Sequence, residues 1–218
     1  MDFEPTIVDL QDKPADFVET YSLGNPNPTA RAKVPVLEME SGQVLVESLV
    51  IVEYLADHFK DQGTALLPPD AMTRAVCRLW NDVASPFSSY ITLLRAKDDP
   101  EALEKAIDDF KLGLSGMDQF LKTRSTDTSP FLCDEFTIAE AATAPFVCRA
   151  CANLPHFLGP RADPMVLCQE GGLDRLSSWI EAVRSRSSVV NTMVSPEEMV
   201  ESAEKFMARL AAMNGSPK

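Results

Sequence analysis

Apolar residues recur at steps of four and three through Leu103, Ile107, Phe110, Leu114, Met117 and Leu121, the clearest helical stripe in the chain. Shorter stripes of the same kind flank it. Val76, Leu79, Trp80 and Val83 share one helix face, which Ser85-Pro86 interrupts, and Leu173, Leu176, Ile180 and Val183 form another with Trp179 beside it. Between these, Thr137 and Glu140 stand three apart before an apolar run, with Phe136 preceding them. That spacing is a capping box with a hydrophobic residue placed to staple the first turn, so Thr137 and Glu140 read as structural. Losing such a cap typically costs about 1 kcal/mol. Ser195-Pro196-Glu197-Glu198 opens a last helix, with Ser195 as cap and Pro196 at the first position; Met199, Phe206, Met207, Leu210 and Met213 give it a Met-rich side. Pro160 to Gly172 reads as a loop-rich connection.

The first sixty residues follow a different rhythm. Pro5-Thr6-Ile7-Val8-Asp9-Leu10 alternates enough to predict a short strand, broken by Gln11-Asp12-Lys13-Pro14. Pro14 suits the first turn of a helix whose short apolar face is Phe17, Val18 and Tyr21, and Asn25-Pro26-Asn27-Pro28 is a loop. Val34-Pro35-Val36-Leu37-Glu38, the turn at Ser41-Gly42-Gln43 and Val44-Leu45-Val46 predict a hairpin. Ser48 then stands as N-cap of a helix carrying Val50, Ile51, Tyr54 and Leu55. The pattern divides the chain into an α/β segment over 1–60, a connector over 61–70 rich in Gly and Pro, and an all-helical segment over 71–218.

A chain of 218 residues has ample length for a buried core. Its formal net charge of −13 argues against a nucleic-acid surface or an anionic membrane surface, both of which need clustered Lys and Arg. No run approaches the length of a membrane-spanning helix, and Met1-Asp2-Phe3-Glu4-Pro5 has neither a basic nor an apolar leader region, so a cytoplasmic protein is expected. An odd count of five cysteines fits reduced thiols better than a disulfide framework. Cys148-Arg149-Ala150-Cys151 invites a redox reading, but a reactive pair places its first cysteine at a helix N-terminus, and this one lies well inside the helix begun at Thr137. Zinc is not expected either, since there is no second such pair and only His58 and His156 in the chain. No metal or prosthetic cofactor is therefore predicted.

The order Val34-Pro35-Val36-Leu37-Glu38, a Gly turn, then Glu47-Ser48-Leu49 with Ile51, Tyr54 and Leu55 behind it resembles the cytosolic glutathione transferases. Asp9-Leu10 followed by Lys13-Pro14 is most similar to the omega-type branch. The resemblance implies a thioredoxin-like α/β domain followed by an all-α domain, a homodimer, a role in detoxification, and glutathione as substrate. It further implies that the Val34–Pro35 bond is cis and that the Val34 backbone pairs with the cysteinyl unit of glutathione as an added strand would. Glu47 would meet the γ-glutamyl ammonium, and Ser48 with its helix N-terminus the α-carboxylate. Lys13 is the candidate for the glycyl carboxylate, with a plain surface lysine as the competing reading; Arg31 and Lys33 are ranked lower. In the family a small hydrophobic electrophile binds beside the first long helices of the second domain, where Trp80, Phe87 and Tyr90 are candidates, with core packing as the competing assignment. The family's equivalent of Thr137 and Glu140 is a folding signal, with Asp where this chain has Glu.

The family's fold begins with a strand and helix that carry the Cys, Ser or Tyr facing the glutathione sulfur. This sequence begins at its equivalent of the second strand, and no residue from Met1 to Pro14 is a Cys, Ser or Tyr. The expectation is a truncated thioredoxin-like domain with glutathione-binding residues and no catalytic residue in view. Two readings stand: a transferase that conjugates glutathione to an electrophile or exchanges it with a disulfide, and a catalytically impaired glutathione-binding or protein-interaction module.

Overall fold

The computed structural model describes residues 3–125 and 128–214, with the side chains of 213 and 214 outside the description. The Met213 side chain expected on the last helix thus lies outside the described residues. The chain divides into two compact units, with the break between Leu67 and Pro68.

The first unit is built on a hairpin. β1 (Val36–Glu38) pairs antiparallel with β2 (Val44–Val46), and Val36 faces Val46 in the register. The turn closes through Gly42 N–H to Met39 C=O and Met39 N–H to Gln43 C=O, with Gly42 at φ 80°, a conformation glycine adopts without a Cβ penalty. α1 (Ala15–Gly24) lies on the hairpin, so that a Cβ at Gly24 would come within 2.9 Å of Val46 Cγ1. Tyr21, Ala32 and Val46 form the buried core there, with Phe17, Ala30, Val36 and Val44 packed around them. α2 (Ser48–His58) follows β2 directly and buries Ile51 and Ala56.

The strand expected over Pro5 to Leu10 does not form: among the described residues the sheet has two strands, and residues 3–9 have no regular structure. Its alternation covers nothing, since Ile7 is 98 % exposed and Phe3 72 %. A strand needs a neighbour to take its backbone donors and acceptors, and no described strand pairs with this segment.

The second unit is helical. α3 (Ala71–Val83) starts at Asp70, whose carboxylate accepts the Thr73 N–H at 2.7 Å. α4 (Ser85–Ser88) and α5 (Ile91–Arg95) lead to α6 (Pro100–Arg124), which buries every residue of the predicted stripe from Leu103 to Leu121. α7 (Ile138–Leu158) packs against α3, α4, α5, α9 (Asp174–Ser185) and α11 (Pro196–Asn214), making it the centre of this unit. The expected loop over Pro160 to Gly172 is instead a 3-10 turn (Pro160–Ala162) and α8 (Pro164–Gly171). Each of its prolines begins a helical segment, where a missing N–H costs nothing, and Asp163 caps α8 by accepting the Met165 N–H at 2.9 Å. The short α10 (Ser187–Val190) connects α9 to α11.

Candidate functional site

The hairpin register brings the sequence-predicted residues to one end of the first unit. The ladder ends at the Val36–Val46 pair, so Val34 and Pro35 just before β1 and Glu47 and Ser48 just after β2 lie at the same end of the hairpin. The Val34–Pro35 bond is cis, and Val34 is 47 % exposed. Glu47 joins β2 to α2 with φ 69° and ψ 114°, the one non-glycine residue at positive φ among those described. Such a backbone costs on the order of 1–3 kcal/mol for a residue with a Cβ, and persists where the surroundings impose it.

This turn sets how α2 begins. Ser48 is the first residue of the helix and not its N-cap, a correction of one position to the sequence reading. Glu47 occupies the cap position, its C=O accepting the Ile51 N–H at 3.0 Å, and its side chain makes no capping hydrogen bond. The first amides of α2 therefore keep the positive end of the helix dipole uncapped by a side chain, with the exposed Glu47 carboxylate and Ser48 hydroxyl beside them. One end of this arrangement attracts a carboxylate and the other an ammonium.

Lys13 is half-buried just before Pro14, the residue that caps α1; Arg31 and Lys33 are exposed on the approach to Val34. All three belong to the first unit.

Trp80 and Phe87, candidates for a hydrophobic-substrate site, are wholly buried in the helical unit. The Trp80 ring meets Trp179 edge-on at 4.9 Å and Phe120 at 5.6 Å, and Phe87 meets Phe110 at 6.1 Å. Both are core residues, because each ring is already covered by aromatic neighbours. Tyr90 is half-buried, and its hydroxyl accepts a hydrogen bond from Asn153 Nδ2 at 3.3 Å.

Thr137 and Glu140 form the expected capping box, and Glu140 does more than a box requires. Its fully buried carboxylate accepts from Thr137 N–H and Thr137 Oγ1 through Oε2, each at 3.0 Å. Through Oε1 it accepts from Leu132 N–H at 2.8 Å and from Trp179 Nε1 at 3.0 Å. Four donors on one carboxylate make it the hydrogen-bond hub of the helical unit. The sequence signalled the box but not the contacts to Leu132 and Trp179, which join segments distant in the chain.

The cysteines carry no sign of the redox site that Cys148 and Cys151 suggest. Both lie inside α7, where burial raises the Cys148 thiol and pushes Cys151 up to about 12; burial likewise takes Cys168 up to about 12. These thiols stay protonated near neutrality and are poor nucleophiles. Among the described residues no group of three or more His, Cys, Asp or Glu could hold a metal ion, and no helix is long and apolar enough to cross a membrane.

Residues 1–58 match the family model described as the glutathione S-transferase N-terminal domain. The chain is 29 % identical to the probable glutathione S-transferase BZ2 of Zea mays, covering 92 % of this chain and 86 % of that protein. It is 26 % identical to the chloroplastic glutathione S-transferase L2 of Arabidopsis thaliana, covering 89 % of this chain but only 58 % of that longer relative. Among solved structures, glutathione transferase Omega 3C of Trametes versicolor superimposes with a TM-score of 0.70 at 25 % identity, over 94 % of this chain and 79 % of that one. Residues 1–58 thus match a glutathione S-transferase N-terminal domain, and the fold is a thioredoxin-like unit followed by an all-helical one, as in the glutathione transferases. The family takes glutathione as a substrate and needs no metal or prosthetic group for it.

Proposed function

We propose that this chain binds glutathione at the junction of β2 and α2 and presents it to a small hydrophobic electrophile or a mixed disulfide. The observation that carries this reading is Glu47. A carboxylate-bearing residue held at positive φ, beside a helix N-terminus without a side-chain cap, is a costly arrangement for which the hairpin alone gives no reason. It suits the γ-glutamyl end of the tripeptide, which carries an ammonium for Glu47 and a carboxylate for Ser48 and the α2 amides. The Val34 backbone takes the cysteinyl unit, and Lys13 the glycyl carboxylate. A homodimer in a reducing compartment such as the cytoplasm fits this family and the unpaired thiols, and detoxification is the role such chemistry serves.

Positioning is what these residues supply. Conjugation also requires the glutathione thiol to be held as thiolate. Calorimetry with millimolar glutathione tests the binding half, and absence of heat at that concentration removes it. Glutathione-dependent turnover of an electrophile that is abolished in Glu47→Ala would support the transfer half, and turnover unchanged in Glu47→Ala would contradict it.

A further inference from the structure

Cys77 and Cys133 lie 56 positions apart in sequence, yet their sulfurs are in contact at 3.6 Å. Cys77 sits on α3 and is fully buried. Cys133 is half-buried on the segment that leads into α7, so it is the member that a small solute reaches. Neither belongs to the glutathione site, and the capping box does not require either of them. We propose that Cys77 and Cys133 are a reversible dithiol switch, oxidised by hydrogen peroxide to a disulfide that fastens the segment before α7 to α3.

The surroundings prepare the pair for this step. The Cys133 segment is already held in place from both sides. Arg175 donates to the carbonyls of Ser129, Pro130 and Phe131, and Leu132 N–H is bound by Glu140. Thr137 Oγ1 lies 3.6 Å from Cys77 Sγ, so the same threonine that caps α7 also touches the buried thiol. Hydrogen bonding from Cys133, then from Thr137, lowers the Cys77 thiol against the effect of burial, while its contact with Cys77 raises Cys133. The two titrate as one unit, and the first proton lost leaves a thiolate and a thiol side by side.

The chemistry balances with peroxide as the oxidant. The Cys77 thiolate takes the Cys133 proton across the 3.6 Å contact as the Cys133 sulfur attacks one peroxide oxygen; the O–O bond breaks, hydroxide leaves and Cys133 becomes a sulfenic acid. Cys77 Sγ then attacks the Cys133 sulfur; the S–S bond forms, the S–O bond breaks, and the departing hydroxide takes up the thiol proton as water. Two thiols are oxidised and one peroxide is reduced to two waters. A sulfenic acid at Cys133 meets its resolving thiol at contact distance, which favours the disulfide over further oxidation. By contrast, Cys148 and Cys151 are both fixed within one continuous helix.

The test treats the reduced full-length chain with dilute hydrogen peroxide, blocks the remaining thiols with a maleimide and maps the peptides by mass spectrometry. The expected product lacks two hydrogens, carries two fewer maleimide groups and yields a Cys77–Cys133 cross-linked peptide that dithiothreitol dissolves. Its helical unit should melt higher than the reduced form by roughly 5 °C, because a long loop is closed. Cys133→Ser, at a half-buried position that tolerates the change better than Cys77 does, should abolish both the cross-link and the thermal shift. Sulfinic or sulfonic acid at Cys133 without the cross-link, a disulfide between another pair, or an equal thermal shift in Cys133→Ser would overturn the proposal.

Discussion

Glu47 holds its backbone at φ 69° with no glycine to relieve it, and that single residue links the fold of the first unit to its site. Replacing it by glycine or by alanine removes the carboxylate equally, but only glycine accepts the backbone conformation without a Cβ penalty. Glu47→Gly is expected to be more stable than Glu47→Ala by about 1 kcal/mol, while both bind glutathione poorly. Chemical denaturation of the two variants checks this, and equal stabilities would mean that the turn carries no strain. Glu140 is the corresponding residue of the helical unit. Its removal leaves the donors of Leu132, Thr137 and Trp179 buried and unpaired, so Glu140→Ala should destabilise that unit by at least about 3 kcal/mol, well beyond the usual cost of a lost cap. A loss near 1 kcal/mol in a urea melt would reduce Glu140 to an ordinary capping residue.

At the scale of elements, what the sequence made legible was local and what it hid was tertiary. The stripe from Leu103 to Leu121, the box at Thr137 and the cap at Ser195 all appear in place, because each depends on spacings of three or four residues along one helix. The alternation at Thr6 to Leu10 misled, since period two marks a strand only where another strand receives its backbone. α7 runs through Pro145 and Pro155, its faces covered by the helices packed around it. That Val34, Pro35, Glu47 and Ser48, the candidate site residues, come together was readable because hairpin pairing is itself a local rule and they flank one hairpin and a helix start. The Cys77–Cys133 contact was not readable, as it joins distant segments. At the start of α11, Ser195 N–H donates to Glu198 Oε2 at 2.9 Å and Glu198 N–H to Ser195 Oγ at 3.2 Å. The bond from the Ser195 backbone, followed by that from its hydroxyl, lowers the Glu198 carboxyl below 4.5. A carboxyl lowered on folding stabilises above its unfolded value, and that contribution is lost as pH falls through the folded value. Amide exchange at the α11 N-terminus should therefore quicken as pH drops below about 4.5, relative to intrinsic rates, and Ser195→Ala should already be fast at neutral pH. Protection that is flat across that window would remove the cap from the account.

For the whole molecule, the first unit is a hairpin carrying α1 and α2, and the second is a helical body organised on α7 and Glu140. In the first unit, the junction of β2 and α2 is the proposed glutathione site, with Glu47 and Ser48 binding opposite charges of one ligand end. The direct measurement is calorimetric titration of glutathione into the full chain and into Glu47→Ala and Ser48→Ala. Each charge-assisted hydrogen bond is worth roughly 1.5–3 kcal/mol, so each variant should lose about ten-fold to a hundred-fold in affinity while its circular dichroism stays unchanged. Wild-type binding that survives both substitutions undiminished would contradict the claim and leave the Glu47 turn as architecture alone.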